Sequence, residues 1–226
     1  PPDGYFAEIR EICDRYEVLF IADEIITGFG RTGRVFAMDH WGVVPDIIAF
    51  GKAASSGYIP LGGVVISDEI RQVFFDGGES FAHVFTYVNN PVAMRVCGTV
   101  LDIITEEGII EHVVEMGEYL VEKAEGFKQY ACVGDVRSKG LMMGIELVRD
   151  KQTKAPFAAQ EGMSARGTSL ALQRGLHITG VPGVADWVHG DDLRFYPPLV
   201  ITREQIDEAV GIIDEVLGEL TREAGL

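Results

Sequence analysis

The sequence predicts an α/β protein: a layer of mostly parallel strands with helices over residues 1–130, then a smaller α+β domain over residues 131–226. Three observations predict it. Tyr5, Ile9, Ile12 and Tyr16 recur at helical spacing and feed the wholly apolar run VLFIA at 18–22, the pattern of a strand covered on both faces. Two further apolar runs, DIIAF at 46–50 and GGVVIS at 62–67, follow with Gly-rich loops between them and read as buried strands. Past residue 130 the chain turns to glycine-punctuated extended segments and one long amphipathic helix.

The remaining elements follow in order. Asn90-Pro91 is an N-cap and N1 pair that opens a helix through about Ile104, and a second helix is expected from about Ile109 to Tyr130. VRSKGLMMGIELV at 136–148 reads as extended structure crossing a glycine turn, and LRFYPPLVIT at 193–202 as a strand closed by two prolines. Thr202 and Gln205 form a capping box for the last helix, whose buried face is Ile206, Val210, Ile213 and Leu217.

Composition narrows the function. At 226 residues and 47% hydrophobic content the chain can bury a core in one large or two modest domains. Nineteen basic against 35 acidic residues give a net charge of −16, which repels nucleic acid and anionic lipid, so neither is expected as a partner. Cys13, Cys97 and Cys132 are far apart, a pattern of buried thiols in a reducing cytoplasm rather than of a disulfide framework or a zinc site. No segment approaches a membrane span, and no secretory leader is visible. The chain opens PPDGYF without an initiator Met, and it is expected to be cut from something longer.

IADEIITGFGRTG ends its strand on Asp23 and Glu24 and continues with Gly28, Gly30 and Gly33, which satisfy G-x-G-x-x-G. A dinucleotide site needs those glycines directly after the strand and at the start of a helix, with an acid on the next strand. Here the acids come first, and RVFAMDHWGVVPD carries no helical stripe. A nicotinamide oxidoreductase is therefore the disfavoured alternative.

Asp23 ends one buried strand, and Lys52 follows the next apolar run by one glycine. In a parallel sheet both project at the carboxyl edge, where open α/β folds bind ligands. Taken singly, each would be a loop residue or half of a surface ion pair; on consecutive strand ends they face one cavity. A desolvated lysine forms imines, and an acid aimed at a heterocyclic nitrogen keeps it protonated and makes the ring an electron sink. Pyridoxal phosphate enzymes need both. Gly51, Ser55, Ser56 and Gly57 leave room for a ring beside Lys52.

LFIADEIITGFGRTGRVFAMDHWGVVPDIIAFGKAASSGYIPLGG strongly resembles the signature of class III, fold-type I, pyridoxal-phosphate-dependent aminotransferases, and HVFTYVNNPVA, GLMMGIEL and LRFYPPLVIT extend the resemblance over almost the whole chain. It implies the C-terminal part of the family's large domain followed by its small domain. It implies Lys52 as the Schiff-base lysine and Asp23 as the partner of the pyridine nitrogen. Thr86 matches the threonine that binds the cofactor phosphate of the neighbouring subunit, which implies a homodimer. Ile26 falls where relatives keep a branched apolar residue against the ring or a glutamine; the apolar choice is similar to the ω-amino acid and amine:pyruvate branch. Arg194 falls where the acetylornithine, γ-aminobutyrate and dialkylglycine branches keep an arginine for a substrate carboxylate or a neighbouring glutamate, and otherwise it would be a surface ion pair. The ω branch carries a mobile arginine a few residues earlier; this chain has none between Arg174 and Arg194, so its branch markers conflict. His40 and His83 read as structural, and no residue cluster has metal-ligand spacing.

The family's phosphate-cradling loop, ring-stacking aromatic and first strands are not found in this sequence. The expected activity is transfer of an amino group from an amine or ω-amino acid to pyruvate or 2-oxoglutarate. A decarboxylase or aminomutase of the same fold, or an inactive fragment kept for subunit contacts, are the alternatives.

Overall fold

The computed structural model describes residues 1–78, 80–82 and 86–226. His83 and the start of the HVFTYVNN motif lie outside the described residues. The chain divides into two compact units, Pro1–Ile110 and Glu111–Leu226.

In the first unit, helix α1 (Tyr5–Arg15) packs Phe6, Ile9 and Cys13 onto Phe20, Ala22 and Met38. Its inward stripe is rotated from the expected one: Tyr5, Ile12 and Tyr16 are exposed. Strands β1 (Ile21–Asp23) and β2 (Ile47–Phe50) pair in parallel, Ile21 beside Ile47 and Asp23 beside Ala49. The third apolar run forms β3 (Gly63–Ile66), but it runs antiparallel to β2. It is also not buried as the sequence led us to expect, with Val64 61% exposed and Ile21 of β1 59% exposed. The unit's helices cover Ala22 and Phe50, and among the described residues none closes over β3.

Asp46, just before β2, fixes the start of this sheet. Its Oδ2 accepts from the backbone N–H of Phe20 at 2.6 Å and from Arg10 at 2.9 Å. Helix α2 (Asp68–Asp76), absent from the sequence reading, starts at Ser67, whose hydroxyl accepts from Ile70 N. Helix α3 (Pro91–Glu106) begins where expected, Asn90 Oδ1 accepting from Val92 N and Ala93 N. A 3₁₀ turn at Lys52–Ser55 packs against it through Ala54, which shares a buried cluster with Phe29 and Ile104.

Helix α4 (Ile109–Ala124) ends earlier than expected and passes into a 3₁₀ turn, Glu125–Gln129. Its buried residues are Val113, Met116, Gly117, Leu120 and Ala124. Gly117 lies so close to Gly140 that a Cβ would come within 2.8 Å of that backbone. His112 meets the Ile201 carbonyl at 2.9 Å, and Glu115 pairs with Arg203. These contacts place α4 in the second unit, so the compact division falls after Ile110, ahead of the break near residue 130 drawn from composition.

The second unit is an antiparallel sheet of order β4-β5-β8-β7, built from β4 (Val133–Lys139), β5 (Met142–Asp150), β7 (Thr179–Pro182) and β8 (Asp191–Phe195), with the short β6 (Ala155–Pro156) on β5. β4 and β5 turn at Gly140, as the sequence predicted. Met143, Ile145 and Leu147 alternate onto one buried face with Leu193. Helices α5 (Met163–Gln173) and α6 (Arg203–Glu223) pack there: a Cβ on Gly167 of α5 would meet Leu193 at 3.0 Å and Leu220 of α6 at 3.2 Å. Gly162 gives α5 no side-chain cap, and the buried Asp191 supplies one from β8, accepting from Ser164 N at 2.9 Å. The loop between β7 and β8 braces itself, with Gly183 N bonded to Gly190 O and Asp186 Oδ1 accepting from Val188 N and His189 N. At its tip Trp187 is 96% exposed. Among the described residues no helix is long and apolar enough to cross a membrane.

Candidate active site

The parallel register of β1 and β2 sets the site. Asp23 lies beside Ala49, and Glu24 N extends the ladder by donating to Ala49 O at 2.9 Å. Lys52 follows three residues after Ala49, beyond Gly51, so the carboxylate and the ammonium belong to the carboxyl ends of adjacent parallel strands. Gly51 is buried against the returning chain, where a Cβ would lie 3.5 Å from Leu61 O. Lys52 then takes φ 42°, a left-handed conformation that costs a side-chain-bearing residue on the order of 1–3 kcal/mol. The buried Ala54 and Ser55 anchor the turn while Lys52 itself is exposed.

Asp23 Oδ1 accepts from Ile25 N at 3.0 Å, which fixes the carboxylate in the turn after the strand. Among the described residues no ion pair joins Asp23 to Lys52, and neither the second carboxylate oxygen nor the ammonium meets a side-chain or backbone partner. The two charges are positioned by the backbone and held apart. Ile26, in the turn that follows Asp23, is 43% exposed.

Glu24, which the sequence reading noted but gave no role, is 2% exposed and organises the glycine segment. Its Oε1 accepts from Met38 N at 2.8 Å, its Oε2 from the Thr27 hydroxyl, and its carbonyl from Gly28 N. Phe29 N bonds Val35 O at 2.6 Å and Gly30 N bonds Arg34 O at 3.2 Å, so G-x-G-x-x-G folds back on itself and leads to a 3₁₀ turn at Ala37–His40. No α-helix N-terminus follows the glycines, which removes the dinucleotide alternative. His40 Nε2 lies 2.9 Å from the Thr32 carbonyl, a structural contact as expected.

Thr86 is exposed at the start of a turn that ends in Asn89, φ 55°, before the Asn90 cap. Between that turn and the loop after Lys52 lies a cavity of about 610 Å³, lined by Ile59, Leu61, Tyr87, Asn90 and Met94 among others. Among the described residues no charged side chain lines it. Arg194 stands in the second unit, on β8, where its Nε and Nη2 both meet the Asp192 carboxylate. Burial pushes the Asp192 carboxyl above its ordinary range, against the opposing pull of Arg194. Among the described residues no group of three His, Cys, Asp or Glu could hold a metal.

The whole chain superposes on transaminases of known structure, and its architecture is that of the fold-type I enzymes. A transaminase from the marine bacterium Virgibacillus matches with a TM-score of 0.92 and 36% identity, over 99% of this chain and 50% of that one. An (S)-enantioselective omega-transaminase from Thermomicrobium roseum matches with a TM-score of 0.89 and 37% identity, over 97% and 47%. The pattern of the class-III aminotransferases covers residues 1–217, and the chain belongs to that family. The putrescine–pyruvate aminotransferase of Pseudomonas aeruginosa is 40% identical over 220 residues, 97% of this chain and 46% of that protein. The chain spans about half the length of the curated relatives it matches.

Proposed function

We propose that this chain forms part of a cytoplasmic, pyridoxal-phosphate-dependent transaminase that moves an amino group from an amine or ω-amino acid to a keto acid, pyruvate or 2-oxoglutarate. The observation that supports it is the ammonium of Lys52 and the carboxylate of Asp23 at neighbouring strand ends, with no ion pair between them among the described residues. A structural ion pair would have joined them; a ligand that takes one group at each end would engage both. The donor set fits the cofactor: an amine for its carbonyl carbon, an acid for its ring nitrogen, and an apolar side chain, Ile26, for a ring face.

When bound, the cofactor supplies an electrophilic carbonyl and a ring that takes up electron density from the substrate carbon. Asp23, oriented by Ile25 N, would hold the proton on the pyridine nitrogen. Lys52 would hold the cofactor through its amine and, once free of it, would take and return the proton at the substrate Cα. Ile26 excludes water from the ring face. Thr86 would donate its hydroxyl to the cofactor phosphate of the neighbouring subunit in a homodimer, and Arg194 would receive a substrate carboxylate. The uncharged cavity beyond the Lys52 turn supports amine donors with an apolar body.

Incubation with pyridoxal phosphate, borohydride reduction and peptide mapping test the proposal. The pyridoxyl label is expected on Lys52, lost in Lys52→Ala, and accompanied by an absorbance that a donor amine removes and a keto acid restores. Label on another lysine, or none, overturns it; carbon dioxide release or turnover without a keto acid transfers the activity to a decarboxylase or an aminomutase.

A further inference from the structure

Helix α6 carries seven carboxylates, and six of them meet a partner. Glu204 is held by the Thr202 hydroxyl and by its own backbone N–H, Asp207 by Lys123 and Tyr119, and Asp214 by Gln129. Glu215 and Glu219 pair with Arg174, and Glu219 and Glu223 with Arg166. Among the described residues Glu208 meets none. The described histidines divide the same way. His40 lies on the Thr32 carbonyl, His112 on the Ile201 carbonyl and His189 on the Asp186 carboxylate, while His177 meets no partner among the described residues.

Glu208 and His177 line one cavity of about 310 Å³ in the second unit, formed by the segment after α5, the end of β8 and the first turns of α6. α6 presents Gln205, Glu208, Ala209 and Ile212 to it, the i, i+3, i+4, i+7 spacing of one helix face. The floor is apolar, with Phe195 and Ala209 buried. The mouth is polar, with His177, Gln205 and Glu208 exposed, and Gln205 Oε1 already accepts from Thr202 N. Among the described residues no Lys or Arg lines the cavity.

We infer that this cavity is an accessory binding site for a short-chain primary ammonium ion. Glu208 supplies the opposite charge, a neutral His177 imidazole supplies a further acceptor for the ammonium N–H groups, and the buried floor takes the alkyl body. A carboxylate without a cation of its own, set beside an apolar wall, is complementary to a ligand charged at one end and apolar at the other. An anion of the same size meets the Glu208 charge and no counter-charge. At about 310 Å³ the space is at the small end of ligand cavities, which favours a body of a few carbons over a peptide or a nucleotide. The net charge of −16 raises the local concentration of such a cation. Binding here leaves the ligand intact and requires neither Lys52 nor a cofactor.

The test titrates the full chain with butylammonium chloride at constant ionic strength and follows the imidazole nitrogens of His177 and the backbone amide of Ala209 by NMR. Tetramethylammonium, which has the same charge and no N–H, and butyrate are run alongside. Saturable shifts are expected with butylammonium alone. They should weaken roughly tenfold in Glu208→Gln, and also in His177→Ala with Ala209 as the reporter, and stay unchanged in Glu204→Gln, whose carboxylate is already engaged. Both cavity residues are exposed, so the variants should keep the parent's melting transition, and butylammonium should raise that transition less in Glu208→Gln than in the parent. Shifts that do not saturate, equal shifts with tetramethylammonium, or an affinity that Glu208→Gln leaves in place reduce the effect to the general attraction of an acidic chain for cations, and each overturns the site. Saturation by butyrate in place of butylammonium overturns its assignment to a cation.

Discussion

Asp46 joins three segments through one side chain and its own backbone: Arg10 of α1, Phe20 at the entry to β1, and Ser67 after β3, which donates to the Asp46 carbonyl. The Phe20 N–H, and after it the Arg10 guanidinium, hold its carboxyl below the usual range. A depressed folded value contributes stability above the unfolded carboxylate range and loses it as pH falls through the folded value. Denaturant titrations should therefore show the parent weakening below about pH 4, where the unfolded carboxyl begins to protonate, and Asp46→Asn weaker at neutral pH with a flatter acid limb. Glu24→Ala removes the acceptor for the buried Met38 N–H and is expected to cost about 1–3 kcal/mol, with looser cofactor retention because Asp23 is its neighbour. The placing of Asp23 and Lys52 at neighbouring strand ends was legible because Asp23 closes one apolar run and Lys52 follows the next by one glycine. Glu24 and Asp46 were not, since their partners are backbone groups 14 and 26 residues away.

Helices were legible where their ends are signalled locally. Thr202 and Gln205 bond reciprocally at the start of α6, at 3.3 and 3.0 Å, and Ile206, Ile213 and Leu217 are fully buried as expected. Val210 is only half-buried, its share taken by Ala209 and Val216. Thr202→Ala should cost about 1 kcal/mol in thermal unfolding. Asp191→Ala should cost more, about 1–3 kcal/mol, because it strands the buried Ser164 N–H. That cap comes from another strand, so no local pattern announces it. The direction of β3 was hidden for a similar reason: an apolar run gives the same pattern in a parallel or an antiparallel ladder, and only its partner decides.

At the scale of the molecule, the chain divides into two compact units after Ile110, a position that depends on where α4 buries its face and that the change in composition near residue 130 does not mark. Those side chains meet Gly140, Ile201 and Arg203, all later in the chain. Ile21 of β1 and Val64, Val65 and Ile66 of β3 stand open to solvent, and the chain spans about half the length of the curated relatives it matches.

The chain has two tryptophans, one in each unit. Trp41 lies edge-on to Phe6 at 4.7 Å, inside packing that unfolding must break, whereas Trp187 crowns a self-braced loop and is already in water. Their emission should separate: the Trp187 component red-shifted and open to iodide quenching in the native protein, the Trp41 component bluer and shielded until the first unit melts. Trp187→Phe should leave a single native emitter, giving the first unit an optical thermometer of its own that needs neither label nor cofactor.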